Sequence, residues 1–435
     1  MKFTRRQWLK TAAASAALAA IPQQLSALTN VEKRSTVSLD FNEADFTAPM
    51  FNLHGQISSP VIIESIELLK NGSNYFVRTR SKDGAEGLIG TKQIIDFLPI
   101  FERLIAPHFI GKDARDIETL VDSVYRANYK LAGLALWCPV AYVEQSVLDM
   151  LGKIARKPVG ELLGGVWRNE IPVYLSGSAR ELTAEEEIAI YARGVEETGA
   201  KSVKFKIGGR MQKYDPYPNR TKTLLELSRK QLGNDIILAA DANGSYTVKE
   251  AIEVGRMLES LNYSFFEEPC PFQLLSDTQA VAKALNIPIA AGEQDSSLWL
   301  FWWGLKNHMM SIVQPDINYN GGLIRTIRVA RLAERMGINI VPHNTQTRAT
   351  SVNILQFASC TKNALPMMEY PWRKSQETPS WYTPDFKIVD GKIKVPTTPG
   401  MGLEIDPGFI AKAERIAFIN KSDAKGNVSG SGSSN

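Results

Sequence analysis

Three acids, Asp241, Glu267 and Glu293, recur at equal intervals, each at the end of a short apolar run. One acid per strand–helix repeat would bring three carboxylates together on neighbouring strand tips. Carboxylates crowded in this way repel one another and hold their protons more tightly unless a cation joins them. A hard, oxygen-seeking ion such as Mg²⁺ suits them, because it needs few protein carboxylates and keeps positions open for substrate. A single acid at a strand end would serve as a helix cap. Three in register point to metal.

Ahead of them stands Lys204-Phe205-Lys206. On a strand the period of two places both ammonium groups on one side, with Phe205 on the other. Neighbouring ammonium groups lower each other's pKa, which makes one a usable base near neutral pH. Beyond the acids come Pro315-Asp316, followed by Gly321-Gly322, and then Val341-Pro342-His343. An aspartate one repeat before a histidine can fix the ring's tautomer and support an imidazolium. His54, His108 and His308 lie away from the strand ends and read as structural. Glu369, in Met368-Glu369-Tyr370, adds a carboxyl group expected to stay protonated and donate to a substrate oxygen.

These residues need a scaffold that gathers strand ends. Eight short apolar runs are candidate strands: Val173–Ser176, Ser202–Ile207, Ile236–Asp241, Ser264–Glu268, Ile289–Gly292, Ile312–Gln314, Asn339–Pro342 and Met367–Tyr370. Single helices separate them, which means a parallel sheet covered on both faces. Eight such strands predict a closed α/β barrel, whose active site lies at the C-terminal strand ends. Before the barrel, Ile62–Leu69 and Asn74–Arg80 read as a hairpin turning at Asn71-Gly72. Helices are expected over Ile94–Ile105, Ala114–Ala132 and Pro139–Ala155, completing a small α+β unit.

The chain has 435 residues, 44% of them hydrophobic and 22% charged, which excludes disordered, collagenous and coiled-coil classes. Its net charge of +4 is that of Lys2, Arg5, Arg6 and Lys10; without those four the chain is balanced. Nothing electrostatic argues for nucleic acid. The adjacent arginines, the weakly apolar run to Ile21 and Leu25-Ser26-Ala27 read as a twin-arginine export signal, cleaved near Ala27. The apolar run is too short to span a bilayer, so no stable membrane anchor is expected. The protein is then expected in the periplasm. Three cysteines, Cys138, Cys270 and Cys360, cannot form a disulfide framework and are read as buried.

Together, Lys204-Phe205-Lys206, Asp241-Ala242-Asn243-Gly244, Glu267-Glu268-Pro269, Gly292-Glu293, Pro315-Asp316 with Gly321-Gly322, and His343 resemble the mandelate racemase/muconate lactonizing branch of the enolase superfamily. The run Glu144–Lys153 and the segment Pro158–Gly165 extend the likeness into the first domain. The resemblance implies an N-terminal α+β capping domain and a modified TIM barrel of (β/α)7β type. It implies that Asp241, Glu267 and Glu293 bind one Mg²⁺. Lys206 is implied as the base on one face of the substrate's α-carbon, with Lys204 tuning it, and His343 with Asp316 serves the other face. Glu369 is implied to bond an enediolate oxygen. Asn243 is a further candidate substrate contact; Arg348, just after strand seven, and Arg373, after Tyr370-Pro371-Trp372, read either as holders of a distal carboxylate or hydroxyls or as surface arginines.

The implied organisation is a signal over 1–27, an extension over 28–58, a capping domain over 59–165 and a barrel over 166–372. A C-terminal segment over 373–422 returns to the capping domain, and 423–435 forms a disordered tail. Members of the family carry a long loop over the site, where this chain has only Lys70–Asn74; the segment Phe41–Ser58 is the expected substitute cover. The expected partner is a small carboxylate, and a homo-oligomer is left open. The expected reaction is Mg²⁺-dependent dehydration of an acid sugar to a 2-keto-3-deoxy acid. The alternatives are racemisation or epimerisation and, more distantly, a secreted binding protein without catalysis.

Overall fold

The computed structural model describes residues 44–421, except 93, 178, 212–213, 347–348 and 373–379. The export signal and the terminal tail therefore lie outside the described residues, as do Arg348 and Arg373. No helix among the described residues is long and apolar enough to cross a membrane.

The first unit is a four-stranded antiparallel sheet. Strands β1 (Ile63–Asn71), β2 (Asn74–Ser81) and β3 (Glu86–Thr91) run consecutively. Asn71 pairs with Asn74, so the turn is the pair Gly72-Ser73, with Gly72 at φ +60°. That conformation suits glycine and matches the twist of a tight hairpin. One face of the sheet packs on the long helix Leu134–Ala155. Contact is close enough that a Cβ on Gly87 would lie 1.9 Å from the Ser146 carbonyl oxygen. Asp149 on the same helix accepts the Leu88 N–H at 2.9 Å and the Met401 N–H at 2.8 Å.

The expected helix Ala114–Ala132 is shorter, an α-helix over Ile117–Ala127 with single 3₁₀ turns on either side. Asn128 Nδ2 bonds the Val124 carbonyl at 3.0 Å and competes with helix continuation. The stretch after Gln93 is likewise divided into short turns, with Pro99 and Pro107 lacking the N–H groups a continuous helix needs.

The second unit is the barrel. Its parallel strands are β4 (Glu170–Ser176), β5 (Ser202–Lys206), β6 (Ile237–Asp241), β7 (Phe266–Glu267), β8 (Ile289–Ala291), β9 (Ile312–Val313), β10 (Asn339–Ile340) and β11 (Met368–Tyr370). They lie in order from β4 to β10, with β11 beside β4. An isolated parallel bridge from Ile340 to Ala364, four residues before β11, brings the two ends of this order together. Seven helices fill the intervals, from Ala184–Thr198 to Val352–Cys360, which makes the architecture (β/α)7β. Two of them begin with reciprocal Thr/Glu caps, Thr183 with Glu186 and Thr247 with Glu250. Several strands are shorter than their apolar runs because the chain turns off the sheet at Glu268 (φ +41°) and Gly292 (φ +115°).

The rest of the chain returns. Strands β12 (Tyr382–Thr383) and β14 (Glu404–Ile405) pair with each other, and β13 (Lys392–Lys394) joins β4. Strand β15 (Glu414–Ile419) pairs with β1 and completes the first sheet.

Among the described residues, the segment before β1 does not cover the strand tips, contrary to the expectation for Phe41–Ser58. In its described part, Met50 and Phe51 donate their N–H groups to Glu118 at 2.8–3.0 Å. Phe46 meets Trp299 on one barrel helix, and Arg331 on another lies over the Phe51 ring. Its buried apolar side chains bind it to the flank of the barrel, where burial stabilises it more than a place over a polar cleft would.

Candidate active site

The strand tips converge as the alternation rule requires. Lys204 and Lys206 both point into the barrel, while Phe205 packs outward on Tyr191 with ring centroids 4.9 Å apart. Asp241, Glu267 and Glu293 are buried, and oxygens of all three lie within 4.8 Å of one another. Lys204 Nζ is 2.8 Å from both Glu267 oxygens and 2.9 Å from Glu369 Oε1. Lys206 bonds Asp241 Oδ2 and lies 3.2 Å from Asn243 Oδ1. On the opposite flank, His343 Nε2 is 3.4 Å from Glu293 Oε2, and its Nδ1 is 3.0 Å from Asp316 Oδ2.

This is a crowded electrostatic knot. Burial pushes the Asp241 carboxyl up, but Lys206 and Lys204 overcome that and hold it well below the ordinary carboxylate range. Burial and then the Asp241 charge push Glu267 well above its ordinary value, despite Lys204. Burial would lower His343, yet Glu293 and the Asp316 bond raise it to about 10.

Two expectations are reversed here. Burial acts to lower both lysines and Lys204 also acts to lower Lys206, but Glu267 and Glu369 raise Lys204, and Asp241 raises Lys206. Glu369, expected to be protonated, is instead held down to about 2: burial raises it, but Lys204 and His343 outweigh that. As a carboxylate it accepts the Asn344 N–H at 2.9 Å rather than donating.

The donor set fits a divalent cation. It offers three buried hard oxygens, and Glu293 Oε2 has no hydrogen-bond partner. The charge that drives Glu267 toward protonation is the charge a dication would neutralise.

A cleft of about 1030 Å³ opens onto the knot. Lys206, Asn243, Glu293, His343 and Glu369 line its floor. Its other wall comes from the first unit, through Ser73 and Asn74 at the hairpin turn and Thr91 and Lys92 at the end of β3. Lys92 reaches across to Thr345 Oγ1 at 2.6 Å, two residues beyond His343.

Residues 187–409 match the family model described as Enolase C-terminal domain-like. The chain belongs to the enolase superfamily. Among solved members, a mandelate racemase/muconate lactonizing protein from Paracoccus denitrificans, complexed with magnesium, superposes with a TM-score of 0.74 at 29% identity. The match covers 82% of this chain and 99% of that one. Arabinonate dehydratase of Saccharolobus solfataricus is 30% identical over 71% of this chain and 80% of its own length. D-galactarolactone cycloisomerase of Agrobacterium fabrum is 28% identical over 68% and 79%. The chain is thus an enzyme of this superfamily, in the mandelate racemase/muconate lactonizing branch.

The superfamily site also has supports that sequence reasoning missed. Gln314 Nε2 holds Glu267 Oε2 at 2.8 Å. Arg180, buried beyond β4, donates to Asn243 Oδ1 at 2.9 Å and to the Gly208 carbonyl at 3.1 Å. Asn243, expected to contact substrate, bridges Glu268 and Glu293 through Nδ2 at 3.1 and 3.2 Å and also lines the cleft. Gln314 ends the run Ile312–Gln314, and a polar residue at a strand end was its one available signal. Arg180 had none. The three structural histidines stay away from the tips: His54 meets Asp116, and His108 meets Ser123. His308 follows the helix Leu298–Lys306. Cys138 and Cys270 are buried and Cys360 partly so, all as free thiols.

Proposed function

We propose that this enzyme abstracts the α-proton of an acid sugar through an enediolate and expels the β-hydroxyl, releasing a 2-keto-3-deoxy acid. The observation that carries the reading is the placing of two bases on opposite flanks of the acid triad. Lys206 is bonded to Asp241 on one side, and His343 stands beside Glu293 on the other. A carboxylate substrate anchored at the triad presents one face of its α-carbon to each.

Asp241, Glu267 and Glu293 would hold Mg²⁺, which when bound stabilises the negative charge that builds on the substrate carboxylate. Asp241 is also the strongest partner of Lys206, so its service as a ligand frees Lys206 to lose its proton. Lys206 Nζ then takes the α-proton. His343, kept protonated by Asp316, passes its Nε2 proton to the departing hydroxyl, which leaves as water. Lys204 stays paired with Glu369 and Glu267 and adds fixed positive charge beside the developing dianion. The dehydratase and cycloisomerase names of the relatives support an acid-sugar substrate. The arginine pair in residues 1–27 supports export by the twin-arginine route.

The test is a panel of acid sugars incubated with Mg²⁺ in D₂O, followed by proton NMR. Release of a 2-keto acid is expected. Lys206→Ala and His343→Asn should each lose net turnover while the remaining base still exchanges the α-proton on its own face. Exchange of one and the same configuration by both variants at wild-type rates would overturn the assignment. Deuterium incorporation with inversion and no keto product would put racemisation in place of dehydration. Binding with no exchange would leave only a binding protein.

A further inference from the structure

Asp316, the partner of His343, sits in a loop that is fastened from outside the barrel. Asp316 Oδ1 accepts the backbone N–H groups of Asn318 and Tyr319 at 2.7 and 3.1 Å, which leaves Oδ2 for His343. The loop that makes these bonds is fastened through the Asn318 side chain. Asn318 Oδ1 accepts Gln145 Nε2 at 2.9 Å, and Gln145 belongs to the long helix of the first unit. Gln145 Oε1 in turn accepts Asn353 Nδ2 at 3.1 Å, from the barrel helix that follows His343. Its neighbour Glu144 accepts the Ile324 N–H at 2.7 Å, in the first turn of the helix after the same loop. Gln145, Asn318 and Asn353 are all buried, where an amide left without a partner is costly and a satisfied one fixes its neighbours.

We propose that Gln145 is a positioning residue for catalysis, locking the Asp316 loop and thereby the orientation and proton of His343. It touches neither substrate nor base and acts through two atoms-to-atoms links, Gln145 to Asn318 and Asn318 to Asp316. The capping unit thus reaches the reaction by a second route besides walling the cleft. Lys206 has no part in this chain of bonds and takes its position from Asp241 and Asn243. The consequence is an asymmetry: loosening Gln145 harms the His343 face of the α-carbon and spares the Lys206 face. Small displacements of a proton-transfer group are expensive, and a shift of about 1 Å can cost on the order of 10²-fold in rate.

The inference rests on the two-base reading above, so its test includes a readout that needs no substrate. Gln145→Met keeps the volume and removes both amide bonds; Asn318→Ala breaks the same link from the barrel side. In the Mg²⁺-loaded full-length enzyme, the His343 Nδ1–H resonance, shifted downfield by Asp316, should move or broaden in each variant. Exchange in D₂O should fall about 10- to 100-fold on the His343 face and stay near wild type on the Lys206 face. The double variant should be no worse than the more damaged single one, since both cut one link. An unchanged Nδ1–H resonance in a folded variant overturns the proposal, as does an equal loss on both faces. If the wild type exchanges neither face, the two-base reading fails, and the resonance alone decides the positioning role.

Discussion

Asp316 and His343 are joined twice. Their side chains meet at 3.0 Å between Oδ2 and Nδ1, and their backbones form a parallel bridge beyond the ends of β9 and β10. The His343 N–H also donates to the Pro315 carbonyl at 3.1 Å. The His343 backbone is therefore held by a frame that survives loss of the carboxylate, while the ring takes its orientation from the Asp316 side chain.

Asp316→Asn should accordingly fold normally and bind substrate with little change in KM. Its kcat should fall by about 10²- to 10³-fold, because the amide no longer supports the imidazolium or enforces the tautomer. Steady-state kinetics on the substrate found in the acid-sugar panel would check this. A kcat within a few-fold of wild type would remove Asp316 from the mechanism.

Removal of metal should abolish turnover, and Mg²⁺ should restore it. Glu293→Gln should weaken Mg²⁺ binding by about 10- to 100-fold while leaving the thermal midpoint close to wild type, since the change is on a strand tip and not in the packed barrel. Calorimetric titration of the chelated protein gives the affinity directly. Full activity in protein verified to be free of metal would refute the assignment of the triad.

The seam between β3 and the helix Leu134–Ala155 gives a prediction about stability alone. Gly87→Ala places a methyl group against the Ser146 carbonyl oxygen, a backbone atom that cannot rotate away. Either the strand or the helix must shift, at a cost of about 1–3 kcal/mol. Denaturant unfolding should register the loss, whereas Mg²⁺ affinity, determined in the barrel, should not change. No loss of stability would mean that the seam relaxes freely.

For export, conversion of Arg5 and Arg6 together to lysine should leave unprocessed precursor in the cytoplasm. Fractionation and a size shift on a gel report the result. Normal processing of the double variant would point to the general secretory route instead.

The placement of this site's residues is legible where residue type and local period decide it. Asp241, Glu267 and Glu293 each close a short apolar run, and the alternation of Lys204 and Lys206 follows from strand geometry alone. What tertiary packing decides was not legible. Arg180 sits in a loop with no pattern, and its role depends on the side chain of Asn243, more than sixty residues further along. The protonation of Glu369 is not legible in the sequence, because only the assembled site puts Lys204 2.9 Å from it. The place of the segment before β1 is not legible either, because its aromatic residues suit a lid or a packed flank equally well, and Trp299 and Glu118 decide between the two.

The pairing of β1 with β15 sets a timetable for synthesis. Ile66 leaves the ribosome early, but the strand that carries its partner Ile419 is made only after the whole barrel. Until then β1 has β2 on one side and an open edge on the other, and an open edge invites pairing with foreign strands. The capping sheet, beside the cleft residues Ser73 and Lys92, thus cannot be completed until the barrel strands have been made. A nascent chain can assemble every barrel strand and still lack its full four-stranded cap, so completing the cap is a long-range strand closure of the slow, aggregation-exposed kind.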